Sequence, residues 1–211
     1  ASEGSARVAI GFDAMHFFVG GEEFAPPDSG SLYSRAEFEE LFTFREQALP
    51  GQALNIKSKP VFPSAEWSVI NHSANGFRLA RSQPGERIIH SQLLAVCPHD
   101  GERFLLGQAT WLMQERCGSL VVGVSVLPGL PEAVGVRQAP SVAGHADRYM
   151  RGFLLPPVAA IGEEASLVIP SGMYQASGTL EIYADGKSRR LRMMRIRQGG
   201  SDFDRVSYEA L

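Results

Sequence analysis

From residue 52 onward the chain reads as many short apolar runs separated by turn signals, the pattern of a mainly β protein. Strands are expected over 53–56, 66–70, 76–80, 88–96, 103–115 and 120–126, then 153–155, 167–169, 178–184, 191–197 and 203–208. Turns fall between them at Pro84-Gly85, Asp100-Gly101, Cys117-Gly118, Pro128-Gly129, Ser171-Gly172, Asp185-Gly186 and Gly199-Gly200. Asp185-Gly186 is the strongest hairpin signal, because both residues tolerate the positive φ of a type I′ turn. Upstream, RVAIGFDAMHFFV over 7–19 is apolar with poor alternation; it predicts a strand buried on both faces, with Gly11 as a bulge. The capping box Ser34-Arg35-Ala36-Glu37 starts a helix over 35–48, whose face carries Phe38, Leu41, Phe42 and Leu49 and which Pro50-Gly51 stops. Residues 131–150, rich in Pro, Ala and Gly, read as a connection between two β-units. No fixed-period repeat emerges.

Composition narrows the function more than the fold. A charged fraction of 20% and a net charge of −3 fit an ordinary globular protein and speak against a general nucleic-acid binder. No run of about 18 apolar residues is present, so no membrane span is expected. The opening ASEGSAR has neither an initiator Met nor an apolar signal core and reads as one piece of a longer cytoplasmic protein. Cys97 and Cys117 lie in apolar strand-like runs without CxxC spacing, the placement of buried free thiols in a reducing compartment. The five histidines are scattered, and HExxH, G-x-S-x-G, P-loop and G-x-G-x-x-G motifs are all missing, so an enzyme is not expected and neither a metal nor a cofactor is implied. His16, set among Phe and Met, reads as a hydrogen-bonded core residue.

The informative stretch is WSVINHSANGFRL, residues 67–79. Two extended runs flank a polar turn, and Asn71, Ser73 and Gly76 offer an amide, a hydroxyl and an approachable backbone there. Asn71-x-Ser73-x-x-Gly76 between strands resembles the [D/N]-x-S-x-x-G signature of PilZ domains, bacterial six-stranded β-barrels that commonly bind cyclic di-GMP. Gly107-Gln-Ala-Thr-Trp111 followed by Leu120-Val-Val-Gly-Val124 resembles the paired strands of such a barrel, and the resemblance covers roughly residues 52–130. It implies that Asn71 and Ser73 bond the guanine and phosphate edges while Gly76 admits the ligand to the backbone.

The chain departs from the family at the R-x-x-x-R motif that normally precedes this signature, for no two arginines here are four apart. Arg45 lies 26 residues ahead of Asn71, but its partner position is Leu49. Arg78 and Arg81 follow the motif and are the nearest substitutes; Arg148 and Arg151 are further candidates. Lys187, Arg189, Arg190, Arg192, Arg195 and Arg197 crowd one hairpin, with Leu191 and Met193 on the opposite face of the strand. Two readings stand: a PilZ-like signalling module that binds cyclic di-GMP and relays it to a protein partner, or a divergent barrel that has lost the nucleotide and serves as an interaction scaffold. The expected architecture is a PilZ-like antiparallel barrel at 52–130, a C-terminal β-unit at 131–211 joined by the N-terminal strand, and a covering helix within 1–51.

Overall fold

The computed structural model describes residues 4–27, 62–116, 118–139 and 148–211. These residues are mainly β, in two closed antiparallel barrels of six strands each. The first is built from β1 (Gly4–Ile10), β2 (Ala65–Ser73), β3 (Gly76–Arg81), β4 (Leu93–Pro98), β5 (Leu105–Gln114) and β6 (Leu120–Val126), in the order β1-β2-β3-β6-β5-β4. The second uses β7 (Glu132–Gln138), β8 (Met150–Leu155), β9 (Ser166–Pro170), β10 (Thr179–Ala184), β11 (Lys187–Gly199) and β12 (Phe203–Ala210). Its order, β10-β11-β12-β9-β8-β7, repeats the connectivity of the first: in each barrel the opening strand pairs with the second and fourth, and the third pairs with the sixth. The repetition is one of pairing, without a matching repeat of residues.

Each lumen is filled by alternate residues of its strands. Trp67, Val69, Leu79, Leu94, Val96, Val122 and Val124 close the first; Val134, Val136, Leu167, Ile169, Ile182, Leu191 and Val206 close the second. Among the described strands, closure leaves no edge open to a further chain. A third set of buried residues, among them Met15, Leu93, Ala95, Leu106, Phe153 and Phe203, belongs to neither lumen. Helix α1 (Phe12–Gly20) lies among them, in contact with β1 and β4 of the first barrel and with β7 and β8 of the second.

Polar contacts join the barrels as well. Asp202 accepts from the Leu93 N–H at 2.9 Å, and the Ser91 carbonyl accepts from the Ser201 N–H at 3.0 Å. The Gln108 amide donates to the carbonyls of Ser91 (3.3 Å) and Gly199 (3.1 Å) and accepts from Gln198 at 2.7 Å.

Three expectations are corrected. The apolar run 7–19 is not one strand: β1 ends at Ile10, Gly11 takes φ 84°, and residues 12–20 coil into α1, with Ala14, Met15 and His16 buried. A run apolar on every face satisfies a buried helix as well as a buried strand, and only the glycine break separates them. Second, β1 pairs with β2 and β4, so the N-terminal strand completes the first barrel and does not join the C-terminal unit. Third, the connection read over 131–150 contains β7, whose Val134 and Val136 point into the second lumen. Gly135 between them is packed against Phe24, which explains a glycine inside a strand. The helix expected at 35–48, the strand at 53–56 and Cys117 lie outside the described residues.

Other expectations hold. Asp185 and Gly186 both have positive φ (49° and 73°) in the two-residue turn between β10 and β11. Leu191 and Met193 point inward, although bulges on β11 interrupt the regular facing expected of its arginines. Cys97 is a buried free thiol on β4. His16 is buried, with Nε2 3.1 Å from the Val134 carbonyl.

Candidate functional site

The 67–79 stretch forms the β2–β3 hairpin, with a tight turn at Ala74-Asn75. The Ser73 hydroxyl accepts from the Asn75 N–H at 3.3 Å, and the Asn75 carbonyl accepts from the Val126 N–H at 2.9 Å, which ties the turn to β6. Gly76 is required by packing: a Cβ there would collide with the Val124 carbonyl of the neighbouring strand.

Two β-bulges decide what stands on the outer wall beside this hairpin. On β2 the pairing jumps from Val69↔Leu79 to Asn71↔Arg78, leaving Ile70 unpaired. On β5 it jumps from Ala109↔Val124 to Trp111↔Gly123, leaving Thr110 unpaired, with its hydroxyl donating to the Gly123 carbonyl at 3.1 Å. Successive strand side chains alternate faces, so one extra residue reverses the facing of everything after it. In unbroken register Asn71 would face Phe77 and Trp111 would face Val122, both part of the lumen cluster. The bulges instead set Asn71, Arg78, Gly123 and Trp111 in a single row across β2, β3, β6 and β5. The adjoining row on the same face is Ser73, Gly76, Ser125 and Gln108.

These rows, apart from Gln108, line an open groove of about 600 Å³, to which Asn71, Ser73, Asn75, Arg78, Thr110, Trp111 and Ser125 contribute. The Arg78 guanidinium lies over the Trp111 ring, 5.7 Å from its centre. Arg78 has no carboxylate partner among the described residues, and its Nε is shielded without a hydrogen bond. A groove with one cation, several amides and hydroxyls and an exposed aromatic suits an anionic ligand with a planar part.

Of the residues singled out from sequence, Asn71, Ser73, Gly76 and Arg78 come together here. Arg81 does not line the groove: it stacks on Trp67 at 4.8 Å and donates to the Glu86 carbonyl at 3.1 Å. Arg45 lies outside the described residues. Arg151 is engaged elsewhere, paired with Asp13 at 2.8 Å. The cationic hairpin belongs to the second barrel, where Arg192 meets Glu209 and Arg197 meets Glu163 and Glu164. Trp111, Thr110, Gly123 and Ser125 entered the sequence reading only as strand pattern or not at all. The one available signal was a large aromatic opposite a glycine on the paired strand.

The second barrel puts a different chemistry beside its third strand. Ser166 opens β9, and the buried Arg205 of β12 donates to its hydroxyl (2.8 Å) and to Glu163 (2.8 Å). Where the first barrel has a two-residue turn, the second has a connection of ten residues, 156–165, and the carboxylate of Glu163 from that connection meets the arginines. Arg205 and Arg197 are neutralised by Glu163 and Glu164, whereas Arg78 of the first barrel has no such partner among the described residues.

A second cavity, of about 570 Å³, lies at the C-terminal end of α1 between the barrels; Phe18, Phe104, Leu130, Glu102, Glu132 and Asp185 are among its walls. It contains none of the residues read from the sequence as ligand contacts. No group of three or more His, Cys, Asp or Glu residues among the described residues is placed to hold a metal ion, and no helix among them is long and apolar enough to cross a membrane.

Comparison with known proteins adds to this geometry. Residues 134–211, nearly all of the second barrel, match the family described as "FimW C-terminal beta-barrel domain". Over 152 residues, 71% of this chain, the sequence is 24% identical to "Cyclic-di-GMP receptor FimW" of Pseudomonas aeruginosa. The matched region spans about a quarter (24%) of that protein's length. No solved structure matches the chain. The chain is therefore similar, along most of its described length, to part of a protein named as a receptor for a cyclic dinucleotide, and its C-terminal barrel resembles the C-terminal barrel of the same protein.

Proposed function

We propose that the chain is a non-enzymatic signalling module that binds cyclic di-GMP in the groove beside the β2–β3 hairpin. The observation that carries this is the gathering of Asn71, Ser73, Gly76 and Arg78 on one open face, in a chain similar to a cyclic di-GMP receptor. In the PilZ-like reading, Asn71 and Ser73 bond the edges of the ligand and Gly76 lets it approach the backbone. Arg78, unpaired with any carboxylate among the described residues, supplies phosphate charge in place of the missing arginine pair. On this reading the module works in the cytoplasm.

Relay to a protein partner would run through β5. Gln108 pairs with the groove residue Ser125, although it does not itself line the groove, and it bonds Gln198 and the Gly199 carbonyl of the second barrel. A ligand that binds one arrangement of this contact better than another shifts the population between them.

The scaffold reading also has an observation in its favour. Ser73 accepts from the Asn75 N–H, so part of the signature closes its own turn. Calorimetry decides between the two. Cyclic di-GMP should release or absorb heat on binding, and Asn71→Ala and Arg78→Ala should each weaken it roughly tenfold or more, as loss of a charge-assisted contact does. Absence of heat at high micromolar ligand would leave the scaffold reading standing alone.

A further inference from the structure

We propose that Trp111 is the base-stacking platform of the groove, with Arg78 as its opposing jaw, so that one purine ring of the ligand is held between an indole and a guanidinium. The inference rests on the groove being the nucleotide site, and it assigns to this pair the stacking that an R-x-x-x-R motif would otherwise supply.

Trp111 is 41% exposed on the outer wall, an unusual place for the largest apolar side chain. Its ring is not loose. It lies against Gly123, where a Cβ would collide with the indole Nε1 and Cε2 and come within 2.7 Å of Cδ1. One face of the indole is therefore seated on bare backbone of β6, and glycine is the residue that permits it. The bulge at Thr110 turns Trp111 out of the lumen, and the Thr110 hydroxyl fastens that bulge to the Gly123 carbonyl. Three separate features, a glycine, a bulge and a hydroxyl bond, set one exposed aromatic against the backbone of β6.

The remaining face looks into the groove. There the guanidinium of Arg78 sits 5.7 Å from the ring centre. Stacked bases are separated by about 3.4 Å, so a ring between the two groups needs about 6.8 Å. Arg78 opens that separation by a swing of its flexible side chain. Arg78 is also free to do so, because no carboxylate among the described residues holds it. Base–aromatic stacking tolerates any base, whereas the amide of Asn71, next to Arg78 in the same row, provides an edge contact that discriminates.

The test uses the intact chain and cyclic di-GMP, with GMP as a second probe. Trp67 is 1% exposed and Trp111 is 41% exposed, so a fluorescence change on titration reports mainly Trp111. Both nucleotides should quench the emission. Trp111→Ala should weaken cyclic di-GMP roughly tenfold or more, and Trp111→Phe, which keeps a ring, should recover most of the affinity. Gly123→Val should weaken binding while Trp111 remains, because the new side chain lifts the indole off its seat. Binding detected by calorimetry without a fluorescence change, or wild-type affinity in Trp111→Ala, would overturn the platform and leave the groove intact as the site. Absence of any binding by the wild-type chain would overturn both. The fluorescence readout needs no variant, so a misfolded substitution cannot rescue the idea.

Discussion

Acid should weaken this fold through one residue in particular. His16 sits in α1 with 4% of its surface exposed, its ring 5.1 Å from that of Phe24 and 5.7 Å from that of Phe153. Nε2 donates to the Val134 carbonyl, and Nδ1 has no hydrogen-bond partner among the described residues. Burial, aided by Arg151, lowers its pKa from 6.5 to about 4, against the smaller opposing pulls of the Val134 carbonyl and Asp13. The folded-state value lies below the unfolded one, so the unfolded chain takes up the proton first as pH falls. The stability due to neutral His16 is complete above pH 6.5 and disappears between there and pH 4. The full span corresponds to about 3.4 kcal/mol at about 1.36 kcal/mol per unit, and by pH 5 about 2 kcal/mol of it is lost. Urea unfolding at pH 7.5, 6 and 5 should be run on the wild type and on His16→Phe, which keeps a ring but cannot titrate. The variant leaves the Val134 carbonyl unpaired, at a cost of about 1–3 kcal/mol that does not vary with pH. Its stability relative to wild type should therefore improve by about 2 kcal/mol between pH 7.5 and 5. A difference constant to within about 0.5 kcal/mol would show that His16 does not carry the acid sensitivity and would refute the burial argument.

Two further outcomes are expected. Glu163→Ala removes the carboxylate that Arg205 and Arg197 share, leaving the 6%-exposed Arg205 side chain with only the Ser166 hydroxyl. Because Glu163 is itself one-third exposed, a loss of about 2–4 kcal/mol is expected, or a Tm lower by roughly 5–10 °C, whereas Glu164→Ala, at 76% exposure, should shift Tm far less; equal shifts would count against the buried-charge account. Gly76→Ala forces a methyl group into the Val124 carbonyl and should cost about 1–3 kcal/mol in chemical denaturation, while unchanged stability would mean that β3 and β6 can separate freely there.

Much of the architecture was legible because it rests on local rules. The short apolar runs with turn residues between them located most of the described strands, and the Asp185-Gly186 turn took the positive φ values its residue types favour. Leu191 and Met193 face inward, as alternation requires. The failures occurred where local rules give two answers. The run through 7–19 is apolar on every side, so its division into β1 and α1 depended on what surrounds it. Residues 132–138 carry Gly135 and read as a linker; they form a strand that pairs with β8 and β10 and sends Val134 and Val136 into the lumen, with Phe24 packed where a side chain at 135 would be. Arg81 appeared equivalent to Arg78 in sequence, three residues apart, yet it stacks on Trp67 away from the groove.

The sequence by itself determined that the chain is mainly β, where its turns fall, and that Asn71, Ser73 and Gly76 would cluster at one hairpin, since residues five apart across a tight turn cannot be far from one another. Only the tertiary structure decided that Asn71, Arg78 and Trp111 share a face with Gly123 between Arg78 and Trp111. That outcome depends on unpaired residues at Ile70 and Thr110, each of which reverses the side-chain facing beyond it. A bulge has no residue signature of its own here. Both bulges lie inside pairs of sequence neighbours, β2–β3 and β5–β6, and each is set by how that pair fits the strands on its other side, a match that exists only once the barrel has closed.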